Sequence, residues 1–179
     1  LDSESTSVAT NTGIVERSIV GVHDANFVHP LGDEEIVNGG FDDGSTDWTL
    51  LSDVTSSFFE NGIANIQGTA NSANNGIKQA SVSAVIGKTY KISATLRSND
   101  GGLYRFRLLD GSYFDLGSGN SSDFETITSY HTATSTVFTI FATSWFASGT
   151  ADFSIDNISV KEVLVNREST ATNTGIVER

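Results

Sequence analysis

The sequence predicts an all-β protein: short antiparallel strands stacked as a two-sheet sandwich, with an extended arm at each end. Three observations carry this. Several stretches alternate apolar and polar residues with the period of two that a half-buried strand requires. Tyr90, Ile92, Ala94 and Leu96, set against Lys91, Ser93, Thr95 and Arg97, are the clearest case. Asn-Gly and Asp-Gly pairs recur at short spacing, at Asn61-Gly62, Asn75-Gly76, Asp100-Gly101 and Asp110-Gly111, and such pairs supply the positive φ angles of tight hairpin turns. No window carries an apolar stripe at the helical period of about 3.6 residues.

From the N-terminus, residues 1–33 read as an arm. Residues 9–17 are ATNTGIVER, and residues 171–179, inside a second arm of residues 164–179, repeat them without a change. Such a repeat marks a junction between units, either of a polymer or of a tandem array. A duplicated linker is the competing reading. In an assembly, Thr12, Ile14 and Val15, with Thr174, Ile176 and Val177, would add to an open strand edge of the next copy. Ser18 to Glu35 holds the apolar pairs Ile19-Val20 and Phe27-Val28 without a sustained period, and its acidic run Asp33-Glu34-Glu35 reads as a solvated face.

The domain occupies residues 34–163. Val37 to Gly44 reads as a strand entering a polar, Gly-rich loop, and Trp48 to Leu51 follows it. SSFFE and IANIQG flank Asn61-Gly62 as a hairpin. Ala80, Val82, Ala84 and Ile86 form an apolar stripe; Tyr104, Phe106 and Leu108 oppose Arg105 and Arg107; Asp110-Gly111 then turns into SYFDLG. Thr136 to Phe146 is apolar on both faces, as a central strand should be.

The closing stretch, Ala151 to Val163, changes phase. Ala151, Phe153 and Ile155 are apolar at odd positions, Ile158 and Val160 at even ones. An extra residue at Asp156-Asn157, a β-bulge, keeps both halves on one core; a second half facing another layer is the alternative. An acidic residue at such a kink offers a metal ligand or a polar anchor. Phe153, Ile155, Tyr90, Ile92, Phe106 and Trp48 are expected to share that core.

Composition narrows the function. At 179 residues the chain can bury one core and has little left for a second. A net charge of −12 with only 10 Lys and Arg excludes a nucleic-acid partner, which needs a basic surface. The absence of Cys removes disulfides, thiolate metal sites and cysteine nucleophiles. No stretch is long and apolar enough for membrane insertion. With no Met, even at position 1, the chain reads as processed or cut from something longer. His23, His29 and His131 lack metal-ligand spacing, and Glu60, Asp110, Asp115, Asp123 and Glu125 are not spaced as a glycosidase pair, so no enzyme is expected. Tyr113, Phe114, Tyr130 and Trp145 lie outside the clean apolar stripes and could serve as sugar-stacking platforms, with a place in the core as the competing reading of each.

Taken in order, Asn38-Gly39-Gly40-Phe41-Asp42, then Trp48-Thr49, then GKTYKISATLRS, then Phe153 to Val160 resemble the carbohydrate-binding-module-like jelly rolls of the family 4/9 type, over about residues 34–163. The resemblance implies a jelly-roll sandwich, of a kind that recurs in bacteriophage tail and fibre proteins and in secreted bacterial polysaccharide-active proteins. It also implies a structural Ca²⁺ where the opening strand and loop meet the closing strand, which maps onto Asn38, Gly40, Asp42, Asp43 and Asp156. Calcium takes about six to eight oxygens, and an acidic loop beside a bulged Asp can offer carboxylates and carbonyls. Asp42 stands where many relatives carry Glu, a shorter reach; turn chemistry is the other reading of Asp42, Asp43 and Asp47. Two functions follow. The first is a structural module of an extracellular or virion fibre that assembles with itself, as homo-oligomer or tandem array, through its arms. The alternative is a carbohydrate-binding module that targets a larger secreted enzyme or adhesin to glycans. Either places the protein outside the cell, on its surface or in a virion.

Overall fold

Alternating side chains do in space what they promise in sequence. The computed structural model describes residues 29–69, 75–145 and 150–164. The repeated peptide, with Thr12, Ile14, Val15, Thr174, Ile176 and Val177, lies outside the described residues. The strands are β1 (Leu31–Glu34), β2 (Thr49–Leu50), β3 (Val54–Glu60), β4 (Ile63–Thr69), β5 (Gly76–Ser83), β6 (Thr89–Ser98), β7 (Leu103–Asp110), β8 (Ser112–Gly119), β9 (Glu125–Thr132), β10 (Val137–Trp145) and β11 (Thr150–Val163). Every pairing is antiparallel. One sheet runs β3-β4-β11-β6-β9 with β1 also on β11; the other runs β2-β5-β10-β7-β8. Hairpins join β3 to β4 and β7 to β8, whereas β4–β5, β5–β6, β6–β7, β8–β9, β9–β10 and β10–β11 each cross from one sheet to the other. This is a jelly-roll sandwich.

The core lies between the sheets. Tyr90, Ile92, Ala94 and Leu96 of β6 and Tyr104, Phe106 and Leu108 of β7 are all buried, as are Phe153, Ile155 and Trp48. Fully burying side chains of this size contributes about 1.5–3 kcal/mol each. Tyr90 meets Phe138 edge to face, with ring centroids 5.3 Å apart. β10 is the central strand of its sheet, with Phe138, Ile140 and Ala142 on the core and Phe141 facing outward.

The bulge in β11 is where expected. Asp156 pairs with Thr95 but Ser159 with Ser93, so β11 spends three steps against two on β6. Asn157 takes a φ of 51°. The bulge also marks a change of partner, since residues before it pair with β4 and residues after it with β1.

The stripe Ala80, Val82, Ala84 and Ile86 forms only in part, with Val82 and Ala84 on the core side. Val82 is buried, but Ala80 is exposed and Ile86 lies at 61 % exposure in the turn before β6. The core face of β5 is Ile77, Gln79 and Val82, with a second bulge between Gln79 and Val82 and a φ of 62° at Ser81. The small Ala80 continued an apparent alternation across a true phase change, and the polar Gln79 hid its own burial. Gln79 is inside because its amide acts as a strand for Val37, donating to the Val37 carbonyl at 2.7 Å and accepting its N–H at 3.0 Å. The opening strand also lies earlier than Val37: β1 is Leu31–Glu34, and residues 36 to 47 form turns.

The sheets are clamped at one end. The Asp110 side chain, fully buried at the β7–β8 turn, accepts hydrogen bonds from the Thr134 N–H at 2.7 Å and the Ser135 hydroxyl, and pairs with His131 Nε2 of β9 at 2.7 Å. Burial alone would raise its pKa, but the bonds from Ser135, His131 and Thr134 outweigh burial and hold it far below the ordinary carboxylate range.

Candidate functional site

Two regions were open to function from the sequence, the opening loop with the β11 bulge and the exposed aromatics. In the first, the chain turns tightly at Asn38. Its side-chain amide donates to the carbonyls of Gly44 at 3.1 Å and Thr46 at 2.9 Å, its oxygen accepts the Asp43 N–H at 3.2 Å, and its own carbonyl accepts Trp48 Nε1 at 2.9 Å. The Asp43 carbonyl accepts the Thr46 hydroxyl at 2.8 Å. The Asn38 side chain thus spends its polar atoms on the loop itself, which is turn chemistry, and Asp43 joins the loop through its backbone. Phe41 anchors the loop in the core, its ring 5.3 Å from Trp48 and 5.8 Å from Phe59.

The loop then presses on the bulge. The Ile158 N–H donates to the Gly39 carbonyl at 2.9 Å, and a Cβ on Gly39 would collide with the Ile158 carbonyl, so only glycine permits this approach. Asp156 accepts both the N–H and the side-chain amide of Asn157, at 2.5 and 2.8 Å. Its pKa is raised by burial, against the Asn157 N–H and with the negative charge of Asp42 adding to the rise. Asp42 Oδ1 and the Gly40 carbonyl both stand beside Gly62 of the β3–β4 turn. Of the expected calcium set, Asp42 and the Gly40 carbonyl meet beside the β3–β4 turn, Asp42 lies near enough to Asp156 for its charge to be felt there, and the Asn38 side chain is spent on the loop. Among the described residues no group of three or more His, Cys, Asp or Glu side chains could hold a metal ion. Two carboxylates and a carbonyl fit part of a calcium shell of about six to eight oxygens, and water would have to complete it.

Glu34 was legible only as part of a solvated acidic run. Its carboxylate accepts the Val160 N–H and the Ser159 hydroxyl, each at 2.6 Å, and so caps the backbone just past the bulge.

The second region is the outer face of the β2-β5-β10-β7-β8 sheet. Register places Thr49, Lys78, Phe141, Arg107 and Asp115 in one straight row across all five strands. Strand spacing of about 4.8 Å makes that row roughly 19 Å long. Over it lies a groove of about 380 Å³ walled by Lys78, Phe141, Arg107 and Tyr113, with Leu51, Leu109, Thr139 and Thr143 around them. The Tyr113 ring packs 5.6 Å from that of Phe141 and 4.6 Å from the Arg107 guanidinium carbon, and Arg107 Nε bonds Asp115 at 2.8 Å. Apolar rings flanked by fixed polar groups are what a sugar requires, since its flat face stacks while its hydroxyls hydrogen-bond.

Of the four aromatic candidates, only Tyr113, 54 % exposed, has its side chain described in this groove. Phe114, one residue on, turns to the other side and packs its ring 4.6 Å from His131, over the Asp110 clamp. Tyr130 is exposed but pairs with Lys91 on the opposite sheet. Trp145 ends β10 opposite Leu103, and its side chain lies outside the described residues. Sequence reasoning missed Lys78, Arg107 and Phe141. The outward alternation of Arg105 and Arg107 was visible, but not which distant strands lie beside them.

No protein-family model and no curated protein sequence matches the chain. Solved structures do. The N-terminal cellulose-binding domain of Cellulomonas fimi β-1,4-glucanase C aligns with 73 % of this chain and 97 % of its own, at 19 % identity and a TM-score of 0.58. The CBM22-1 xylan-binding domain of Paenibacillus barcinonensis Xyn10C aligns with 77 % of this chain and 99 % of its own, at 15 % identity and a TM-score of 0.54. The fold is that of the carbohydrate-binding-module jelly rolls. An enzymatically active domain of bacteriophage CBA120 tailspike protein 4 also matches, over 73 % of this chain but 21 % of that one, at 12 % identity and a TM-score of 0.50. At these identities the likeness is one of fold.

Proposed function

We propose that this protein is a non-catalytic glycan-binding module that takes its ligand along the groove of the β10 sheet, outside the cell, on its surface or in a virion. The observation that carries this is the row through Lys78, Phe141 and Arg107 with Tyr113 packed against it, an aromatic floor with polar groups at its margins. The jelly-roll fold shared with a cellulose-binding and a xylan-binding domain supports the same reading. Titration of the full chain against a glycan panel tests it. Phe141→Ala and Tyr113→Ala should each weaken binding by about tenfold or more, or roughly 1.4 kcal/mol, with the melting temperature used to confirm that the variants remain folded. Binding that survives both substitutions would refute this site.

A second reading, favoured by the identity of residues 9–17 and 171–179, is self-assembly through those peptides, with the module borne in a fibre or array. Replacing Ile14 and Ile176 together by Asp in the full chain should then abolish association seen by light scattering. A structural calcium at Asp42, Asp156 and the Gly40 carbonyl is the third element of this proposal, supported by two carboxylates whose mutual repulsion a divalent cation would relieve.

A further inference from the structure

We infer that the groove takes an anionic glycan, one whose sugars carry carboxylate or sulfate groups. The inference rests on the glycan-binding reading and narrows it. The strands of the β10 sheet carry three basic residues, Lys78, Arg105 and Arg107, and two acidic ones, Asp110 and Asp115. Asp110 is turned inward and fully buried, so the outer face holds three cations against one carboxylate. The strands of the other sheet hold three basic residues against seven acidic ones. In a chain with a net charge of −12, the groove face stands out by its lack of acidic residues, since each sheet carries three basic ones.

Their placement matters more than their number. Lys78 and Arg107 flank Phe141 in one row, one strand away on either side, so a sugar ring stacked on Phe141 has a cation at each hand. The Tyr113 ring steadies the Arg107 guanidinium, and Asp115 engages it through Nε, leaving N–H donors on the two terminal nitrogens. Among the described residues Lys78 makes no ion pair; Lys88 is bridged to Glu162 at 2.9 Å and Lys161 lies 3.8 Å from Glu34. The fixed polar groups are therefore mostly donors with positive charge, which pair best with acceptor-rich, negatively charged ligands. The acidic remainder of the protein does not cancel this, because exposed charges are screened beyond about 8 Å at physiological ionic strength.

Calorimetric titration of the full chain tests it with matched pairs of polymers: polygalacturonate against its methyl-esterified form, and dextran sulfate against dextran, with cellohexaose and xylohexaose as neutral oligosaccharides. The inference expects the charged member of at least one pair to bind about tenfold tighter than its neutral counterpart, and that advantage to fall as salt is added. The first pair reports carboxylate, the second sulfate. Lys78→Gln should remove most of the preference and Lys78→Arg keep it, whereas Lys91→Gln, on the other sheet, should leave it unchanged. Equal binding of charged and neutral members overturns the inference while the glycan-binding reading stands, as does equal loss in Lys78→Gln and Lys91→Gln, which would mark ion exchange over the whole surface. Failure of every glycan to bind overturns both.

Discussion

On the outer face of the β10 sheet, Lys78, Phe141 and Arg107 stand in a row under an open groove. On the outer face of the β11 sheet the comparable row runs Phe58, Asn65, Ser154 and Arg97. Both rows have aromatic and basic members, yet they differ in how their polar atoms are spent. The Ser154 hydroxyl donates to Asn65 Oδ1 at 2.7 Å and accepts from Asn99 Nδ2 at 3.0 Å, and Asn99 also donates to Asp152 at 2.8 Å. That face satisfies itself. The groove face keeps an apolar floor and donors not consumed by neighbours, so ligand contacts there replace water rather than existing bonds. On the proposed reading, a polar sheet face becomes a site through what it leaves unspent.

The largest test of this comparison concerns what the faces share. Phe106 lies directly beneath the arginines of β7 in the common core. Phe106→Ala should cost about 3–5 kcal/mol in urea denaturation, with both sheets lost in one transition. Arg105→Ala, outward on the same strand, should cost far less, about 1 kcal/mol or below. Separate transitions for the two sheets would break the premise that one core supports both faces.

The Asp110 clamp comes next. Because its folded pKa is held below the unfolded value of about 3.9, its contribution is complete above that pH and is lost as pH falls through the folded value. Asp110→Asn should lower stability at neutral pH by about 1–3 kcal/mol, leaving buried partners poorly matched. It should also flatten the loss of stability that the native chain shows below about pH 4. Denaturation curves across pH read both effects, and an unchanged acid limb would remove Asp110 from the account.

How much of this was legible in the sequence depended on distance along the chain. The bulge at Asp156 could be read because both phases of β11 are built from large apolar residues, and a single strand contains the whole signal. The bulge at Ser81 could not, because the exposed Ala80 imitates a position in phase with Val82 and Ala84, while Gln79 is buried for a bond made 42 residues away. The groove was least legible. Lys78, Phe141 and Arg107 become neighbours only once β10 is seated between β5 and β7, and nothing local announces that pairing. Tyr113 was picked out by its chemistry, and Tyr130, picked out by the same chemistry, lies on the other sheet.

The smallest expected effect is at the loop and bulge. If Asp42 and Asp156 share a calcium, millimolar Ca²⁺ should raise the melting temperature over that in EDTA, by the mass-action amount set by its affinity. Asp42→Asn should abolish the response and, in EDTA, melt slightly above the native chain because the repulsion felt by Asp156 is gone. Identical melting of both proteins with and without calcium would count against the site and leave the comparison of the two faces untouched.

The comparison itself is settled most directly by mapping amide shifts in the ¹⁵N-labelled chain as galacturonate and cello-oligosaccharides are added. The account predicts that shifts cluster at Lys78, Arg107, Tyr113 and Phe141 while Asn65 and Tyr130 stay still. Shifts centred on Asn65 and Tyr130, or no shifts with any glycan, would contradict it.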